Sequence, residues 1–99
     1  MTEKVIPKTI QKAVDMLLEK LDQQTLIYIK SLKVDDLSEL HCTLGTQVRN
    51  SFGLWGDNKE LLGDCKRSLN YPEYMDVHAD TASSMIIEKL WKRLDEKVI

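Results

Sequence analysis

Three residues whose side chains could bind a ligand recur at helical spacing in the middle of the chain: His41, Gly45 and Arg49. Residues four apart lie on nearly the same side of an α-helix, so an imidazole, a missing side chain and a guanidinium would follow one another along it. The missing side chain at Gly45 would leave a notch between two groups that hydrogen-bond to anions and carbonyls. The spacing therefore indicates a recognition notch for a carboxylate, a carbonyl or a phosphate.

The same three residues also fit a purely structural role. Gly45 could admit a neighbouring helix or the Trp91 ring, because a glycine inside a helix often marks a close approach. His41 could bond to a carbonyl in the core, and Arg49 could bridge to an acid on another helix. The candidate acids are Glu39, Asp64 and Asp80. We favour the structural role, since a lone helical His and Arg do not make a catalytic signature.

The segment continues through Asn50 and Phe52 to Gly53 and Trp55. Two large aromatic residues around a glycine usually pack the end of a helix into the core, because they bury so much apolar area. We therefore expect Phe52 and Trp55 in the core, with Gly53 as the left-handed stop of the helix. The alternative is an exposed aromatic anchor for a partner.

A second histidine, His78, precedes Asp80 at the start of the last predicted helix. Such a pair resembles a general base and the carboxylate that orients it. No nucleophile accompanies the pair, because Ser83 and Ser84 fit better as capping and packing residues. We therefore predict no catalytic residue, no metal ligand and no cofactor. An enzyme that uses His41 or His78 as its base is the alternative.

Hydrophobic periodicity predicts an all-α fold, a compact single-domain bundle of about four to five helices. The first helix is expected to begin near Pro7, the second to follow a cap at Asp22, and the last to follow a cap at Asp80. A single third helix is expected to begin after Val34, with Asp36 as its cap, and to end near Ser51 or Phe52. This arrangement would place Gly45 in the middle of a helix.

Three further features are more ambiguous. Asp57 is expected to cap a short helix that runs through Cys65. The β-branched residues Thr25, Ile27 and Ile29 also suit a strand, but we favour a helix because no partner strand is visible elsewhere. Met85 and Ile86 fall outside the inner stripe of the last helix, which hints at a contact surface for a homo-oligomer.

Length and composition indicate one globular domain over residues 1–99, with its core over roughly 6–98. The chain is 42% hydrophobic and 30% charged, and its formal net charge is −2. This balance argues against a nucleic-acid partner, because such proteins usually present a basic surface. The residues that would carry that alternative are Lys66, Arg67, Lys89, Lys92, Arg93 and Lys97.

The cysteines and the hydropathy bear on the compartment. Cys42 and Cys65 lack the spacing of a metal site, and two free thiols are the simpler interpretation. No apolar run approaches the roughly 20 residues that cross a bilayer. We therefore expect a cytoplasmic protein without membrane association.

Residues 40–55 carry the pattern L-H-x-x-L-G-x-x-V-R-N-x-x-G-L-W. This pattern resembles a family of small bacterial all-helical domains of unknown function, and the resemblance extends to Ile6-Pro7 near the start and to the stretch from His78 to Trp91. The chain departs from the family at Cys42, where an aromatic residue is common, and at Ala79, where proline is common. The resemblance implies the helical fold and brings no activity, substrate or catalytic residue with it.

The leading functional hypothesis is a non-enzymatic binding module that contacts another protein, for example an inhibitor or an immunity or anti-defence protein of a bacterium or phage. Small size, an acidic balance and the lack of a catalytic constellation favour it. The alternative is a small-ligand or anion sensor that uses the notch. Its candidate binding residues are His41, Gly45, Arg49, Asn50, Trp55 and His78. A nucleic-acid-associated protein is the second alternative.

Overall fold

The fold is all-helical in the residues that the computed structural model describes, which are 6–56, 58–72 and 74–96. Five α-helices follow one another: α1 (Ile10–Lys20), α2 (Gln23–Ser31), α3 (Leu44–Ser51), α4 (Lys59–Ser68) and α5 (Ala79–Glu96). A 3₁₀ helix, Val34–Leu40, lies between α2 and α3. The expectation of an all-α fold is confirmed. The expected number of helices is too low, because the described residues form six.

The extra helix arises where the expected third helix breaks in two. A turn at residues 41–43 separates the 3₁₀ helix from α3, and Thr43 has φ −107° and ψ −87°, outside the helical region. The Thr43 backbone N–H and hydroxyl both point to the Leu40 carbonyl oxygen, at 3.3 and 3.4 Å. Such local bonds compete with the helical ladder. Gly45 therefore lies in the first turn of α3 and not in the middle of a helix.

Side-chain caps set the starts of three helices. The Asp22 carboxylate accepts from the Thr25 N–H at 2.8 Å, as expected for α2. Helix α1 begins at Ile10, later than expected, because Thr9 caps it by accepting from the Lys12 N–H. Helix α4 is capped by Asn58. The expected cap, Asp57, lies outside the described residues.

Asn58 also ties three segments of the chain together from a buried position. Its side-chain oxygen accepts from the Leu61 N–H, and its amide group donates to the carbonyls of Pro7 and Phe52 at 2.7 and 2.9 Å. A buried amide with all these bonds fixes the approach of α4 to the end of α3. Gly53, with φ +69°, ends α3 as expected.

Helix α5 forms the centre of the fold, because α1, α2, α3 and α4 all pack against it. Ile86 is fully buried, so its expected place on a contact surface is wrong, and Met85 is partly buried against the core. Trp91 is also partly buried and donates its indole N–H to the Leu32 carbonyl at 2.8 Å. Within the described parts of the chain, none of the helices combines the length and hydropathy of a bilayer span.

Candidate functional site

The Arg49 side chain is almost entirely buried, with 7% of it exposed, between α3 and α5. Its Nη1 donates to the Ser83 hydroxyl at 3.0 Å. Its Nη2 donates to the His41 carbonyl at 3.2 Å and to the Thr46 hydroxyl at 3.0 Å. A buried guanidinium needs such partners, because an unpaired buried charge is costly. These contacts make Arg49 a cross-link between α3, the preceding turn and α5.

Gly45 gives the guanidinium its room. A Cβ atom at Gly45 would lie 3.0 Å from Arg49 Nη1 and 3.3 Å from the Leu40 carbonyl oxygen. The notch that the sequence predicts at Gly45 is therefore present, and the guanidinium of Arg49 itself occupies it. We call Arg49, Gly45, Thr46, Ser83 and Asp80 the Arg49 cluster.

Asp80 is the anionic member of the cluster, and it is half-exposed. Its Oδ1 lies 3.5 Å from Arg49 Nε and 3.9 Å from His41 Nε2, and its Oδ2 lies 3.8 Å from His78 Nδ1. Arg49 Nε is inaccessible to solvent and forms no hydrogen bond with the described residues. Asp80, one of the three acids that the sequence offers to Arg49, is thus the one placed beside it.

His78 and Ser83 serve the start of α5. His78 Nδ1 accepts from the Asp80 backbone N–H at 3.1 Å, and the His78 carbonyl accepts from the Ala82 N–H. The Ser83 hydroxyl donates to the Asp80 carbonyl at 3.0 Å while it accepts from Arg49. Both of its bonding directions are therefore taken inside a fully buried site. These contacts give Ser83 a structural role and make His78 a capping residue of α5.

Trp55 is 62% exposed, so the expectation that it lies in the core is wrong. Phe52 and Leu54 fill the core instead, each 2% exposed, and the chain turns outward after Leu54. The Trp55 indole N–H donates to the Asn50 side-chain oxygen at 2.9 Å. The centroid of its ring lies 5.9 Å from Arg49 Cζ, within the range of a cation–π contact. The indole is thus exposed and held from two sides.

An open groove of about 670 Å³ lies beside Trp55, between α4 and residues 76–79. We call it the Trp55 groove. Its apolar lining consists of Leu54, Trp55, Leu62, Val77 and Ala79, and its glycines are Gly56 and Gly63. Its polar lining consists of Lys59, Lys66, Asp76 and His78. The groove has an apolar floor, and Lys59, Lys66 and Asp76 lie on its rim among the residues that the structure describes.

The predicted site residues lie in one region of the structure and form two groups, one at the Arg49 cluster and one at the Trp55 groove. Gly45 and Arg49 belong to the Arg49 cluster, and His41 lies at its edge. Trp55 and His78 line the groove, and Asn50 orients Trp55. The sequence analysis did not predict the α4 side of the groove, although Gly63, a glycine inside a predicted helix, could have indicated it. The rim residues Lys59, Lys66 and Asp76 carry no such signal.

Several of the basic residues that were the candidates for nucleic-acid binding lie outside the Trp55 groove. Lys89, Lys92 and Arg93 line a separate cleft of about 330 Å³ between α1, α4 and α5. Arg93 Nη2 pairs with Asp15 at 3.0 Å, and Arg67 Nη2 with the Asp64 carboxylate at 3.3 Å. Lys97 lies outside the described residues.

The remaining side chains that could bind a metal ion or react are the acids and the two cysteine thiols. Within residues 6–56, 58–72 and 74–96, no group of three or more His, Cys, Asp or Glu side chains is placed to hold a metal ion. Cys42 is exposed and Cys65 is buried, and both are free thiols. Burial raises the pKa of the Cys65 thiol to about 11.

Comparison with known proteins identifies a family. The family model described as "Domain of unknown function (DUF6794)" matches residues 6–94. The chain therefore belongs to this family, which agrees with the expectation of an uncharacterised domain family. No curated protein and no solved structure matches the chain.

Proposed function

We propose that this member of the DUF6794 family is a non-enzymatic binding module that contacts a partner protein through Trp55 and the Trp55 groove. One observation carries the proposal: an indole that is 62% exposed is nevertheless fixed by a hydrogen bond to Asn50 and by the Arg49 guanidinium. A tryptophan in the open and held in one place is a typical anchor of a protein interface.

The fixed orientation of the indole has an energetic consequence. A side chain that is mobile before binding loses rotamer freedom in the complex, at roughly 0.5–1.5 kcal/mol for each flexible side chain. Trp55 is already ordered by Asn50, so less of this cost remains to be met on binding. Its large apolar area then contributes to affinity with little entropic loss.

The surroundings of Trp55 extend the apolar area. Leu62 and Val77 lie in the floor of the groove, and the adjoining chain segment exposes Tyr74 at 85% and Met75 at 40%. Tyrosine, tryptophan and methionine are enriched at protein interfaces relative to the rest of the surface. This composition supports a partner protein as the occupant.

The alternatives have weaker support from the geometry. An anion sensor would need an open notch at Gly45, and the Arg49 guanidinium occupies that space. An enzyme would need a nucleophile near His41 or His78, and the hydroxyl of Ser83 is already engaged on both sides. An inhibitory or immunity role in a bacterium or phage is one form that our proposal can take. The identity of the captured partner decides it.

Affinity capture from a lysate of the source organism tests the proposal, with the whole chain as bait. Wild type and Tyr28→Ala should retain the same stoichiometric protein, and Trp55→Ala should lose it. Tyr28 is the matched control, because it is an exposed aromatic residue on α2 outside the groove. Thermal unfolding of all three proteins checks that each is folded. Retention of the partner by Trp55→Ala, or capture of no stoichiometric protein by wild type, would contradict the proposal.

A further inference from the structure

Arg49 supports the exposed ring of Trp55, and α5 holds this arginine from a distant part of the chain. The guanidinium carbon of Arg49 lies over the ring, 5.9 Å from its centroid. Its Nη1 donates at 3.0 Å to the hydroxyl of Ser83, which is 34 positions away in sequence. Asn50, which also holds the indole, is a sequence neighbour of Trp55. The place of the indole therefore depends in part on a helix that is distant in sequence.

We propose that Ser83 and Asp80, near the start of α5, are positioning residues of the Trp55 anchor and act on it through the Arg49 guanidinium. This inference rests on the proposed function and specifies how the anchor is kept in place before the partner binds. Neither residue needs to contact the partner protein for this role. A planar guanidinium that is bonded at several of its nitrogens has a fixed orientation, and it then restrains an aromatic ring that packs on it.

The Ser83 hydroxyl is oriented to accept a hydrogen bond from the guanidinium. It donates to the Asp80 carbonyl oxygen at 3.0 Å, so its lone pairs remain for Arg49 Nη1. Ser83 is fully buried, on the helix against which α3 packs. Alanine would fill a similar volume there and favours a helix more than serine does. Helix packing alone therefore does not require a hydroxyl at this position, whereas the bond to Arg49 does.

Asp80 supplies negative charge at another edge of the same guanidinium. Its Oδ1 lies 3.5 Å from Arg49 Nε, and no other carboxylate of the residues that the structure describes lies within ion-pair distance of this side chain. A buried guanidinium without a counter-charge is costly, so loss of the carboxylate favours movement of the guanidinium toward solvent. Any such movement would shift the group on which the Trp55 ring packs.

NMR of the free whole domain tests the inference without a ligand. Ser83→Ala should shift the Trp55 indole N–H resonance and increase its nanosecond motion in ¹⁵N relaxation, because Arg49 Nη1 loses its acceptor. Ser84→Ala is the matched control: it changes the next serine of α5, which is exposed, and should leave both signals as in wild type. The Trp91 indole reports general effects on the fold. The same Trp55 signal in both variants would overturn the inference.

Variants of Asp80 and a measurement on wild type keep the test decisive if Ser83→Ala does not fold. Asp80→Asn keeps the shape of the side chain and removes its charge, so the Trp55 signal should again move away from wild type. Asp80→Glu restores the charge and should bring the signal back toward wild type. In wild type, the Arg49 Nε–H should be rigid and slow to exchange, because the atom is inaccessible to solvent. A mobile Nε–H that exchanges rapidly, or a wild-type Trp55 signal in Asp80→Asn, would overturn the inference.

Affinity for the captured partner connects the position of the indole with binding and separates the two proposals. Ser83→Ala should bind the partner roughly two- to tenfold more weakly than wild type, the range expected when one ordered side chain becomes mobile before binding. Ser84→Ala should bind like wild type. If the Trp55 signal moves in Ser83→Ala and the affinity does not change, this inference is wrong and the binding module stands. If wild type captures no partner, the proposed function is wrong, and so is this inference, which rests on it.

Discussion

Arg49 and Trp55 belong to one short segment, and their surroundings are opposite. The Arg49 side chain is 7% exposed and bonded to Ser83, Thr46 and the His41 carbonyl. Trp55 is 62% exposed and touches the Arg49 cluster only through its ring. The polar residue is thus the internal one and the aromatic residue the external one. Charge and apolar character by themselves do not decide burial; the partners available at each place decide it.

The largest effect should come from Arg49→Ala. The substitution leaves a cavity beside Gly45 and removes the donors to Ser83 and the His41 carbonyl, so it should lower the free energy of unfolding by about 2–4 kcal/mol. Urea denaturation measures it. Arg67→Ala, at a mostly exposed arginine, is the control and should change stability by less than about 0.5 kcal/mol. Equal effects at Arg49 and Arg67 would remove the distinction between a buried and an exposed guanidinium.

The two helical glycines should respond with opposite signs. Gly45→Ala should destabilise the domain by about 1–3 kcal/mol, because its Cβ would meet Arg49 Nη1 and the Leu40 carbonyl. Gly63→Ala should stabilise the domain by about 0.5–1 kcal/mol, because its Cβ meets nothing that must move. Urea midpoints of the two variants give the comparison. A stability change of the same sign at both positions would show that the surroundings of Gly45 and Gly63 do not differ in this way.

A smaller effect is expected from Asn50→Ala. Asn50 is exposed, so stability should change by less than about 0.5 kcal/mol. The Trp55 indole loses its acceptor, and its nanosecond motion should increase in ¹⁵N relaxation of the indole N–H. The Trp91 indole, bonded to Leu32, is the internal control. Unchanged Trp55 relaxation would mean that Asn50 does not order the ring.

The two cysteine thiols differ in burial, so their rates of chemical labelling measure the packing of the folded domain. Iodoacetamide near neutral pH should label the exposed Cys42 and spare Cys65, whose pKa burial raises from 9.0 to about 11. Because the folded state holds the Cys65 proton more tightly, the contribution of this thiol to stability should be constant below pH 9 and fall as the pH rises toward 11. Arg49→Ala should speed labelling of Cys65, and Trp55→Ala should not. Equal labelling of the two thiols in wild type would contradict the burial of Cys65.

The sequence predicted some of the features that depend on local chemistry, but the expected cap at Asp80 is wrong because α5 already begins at Ala79. The helical class, the Asp22 cap and the stop at Gly53 follow from capping and backbone preferences of single residues. Asp80 as an acid for Arg49 was one of three choices, and only the packing of α3 against α5 selects it.

Features that depend on tertiary geometry were missed or misjudged. The break at Thr43 comes from bonds to the Leu40 carbonyl that compete with a regular helix. Trp55 was expected in the core because its apolar area is large, yet Phe52 and Leu54 point into the core and Trp55 lies outside it. The groove combines the turn at residues 54–56, α4 and residues 76–79, so no pattern within one helix could indicate it.

The free energy of unfolding of Trp55→Ala tests the division of this segment most directly. If Trp55 is an exposed anchor, its removal costs only its contacts with Asn50 and Arg49. The domain should then stay within about 1 kcal/mol of wild type by urea denaturation. A loss of about 3 kcal/mol or more, the range for a tryptophan removed from a core, would contradict the account.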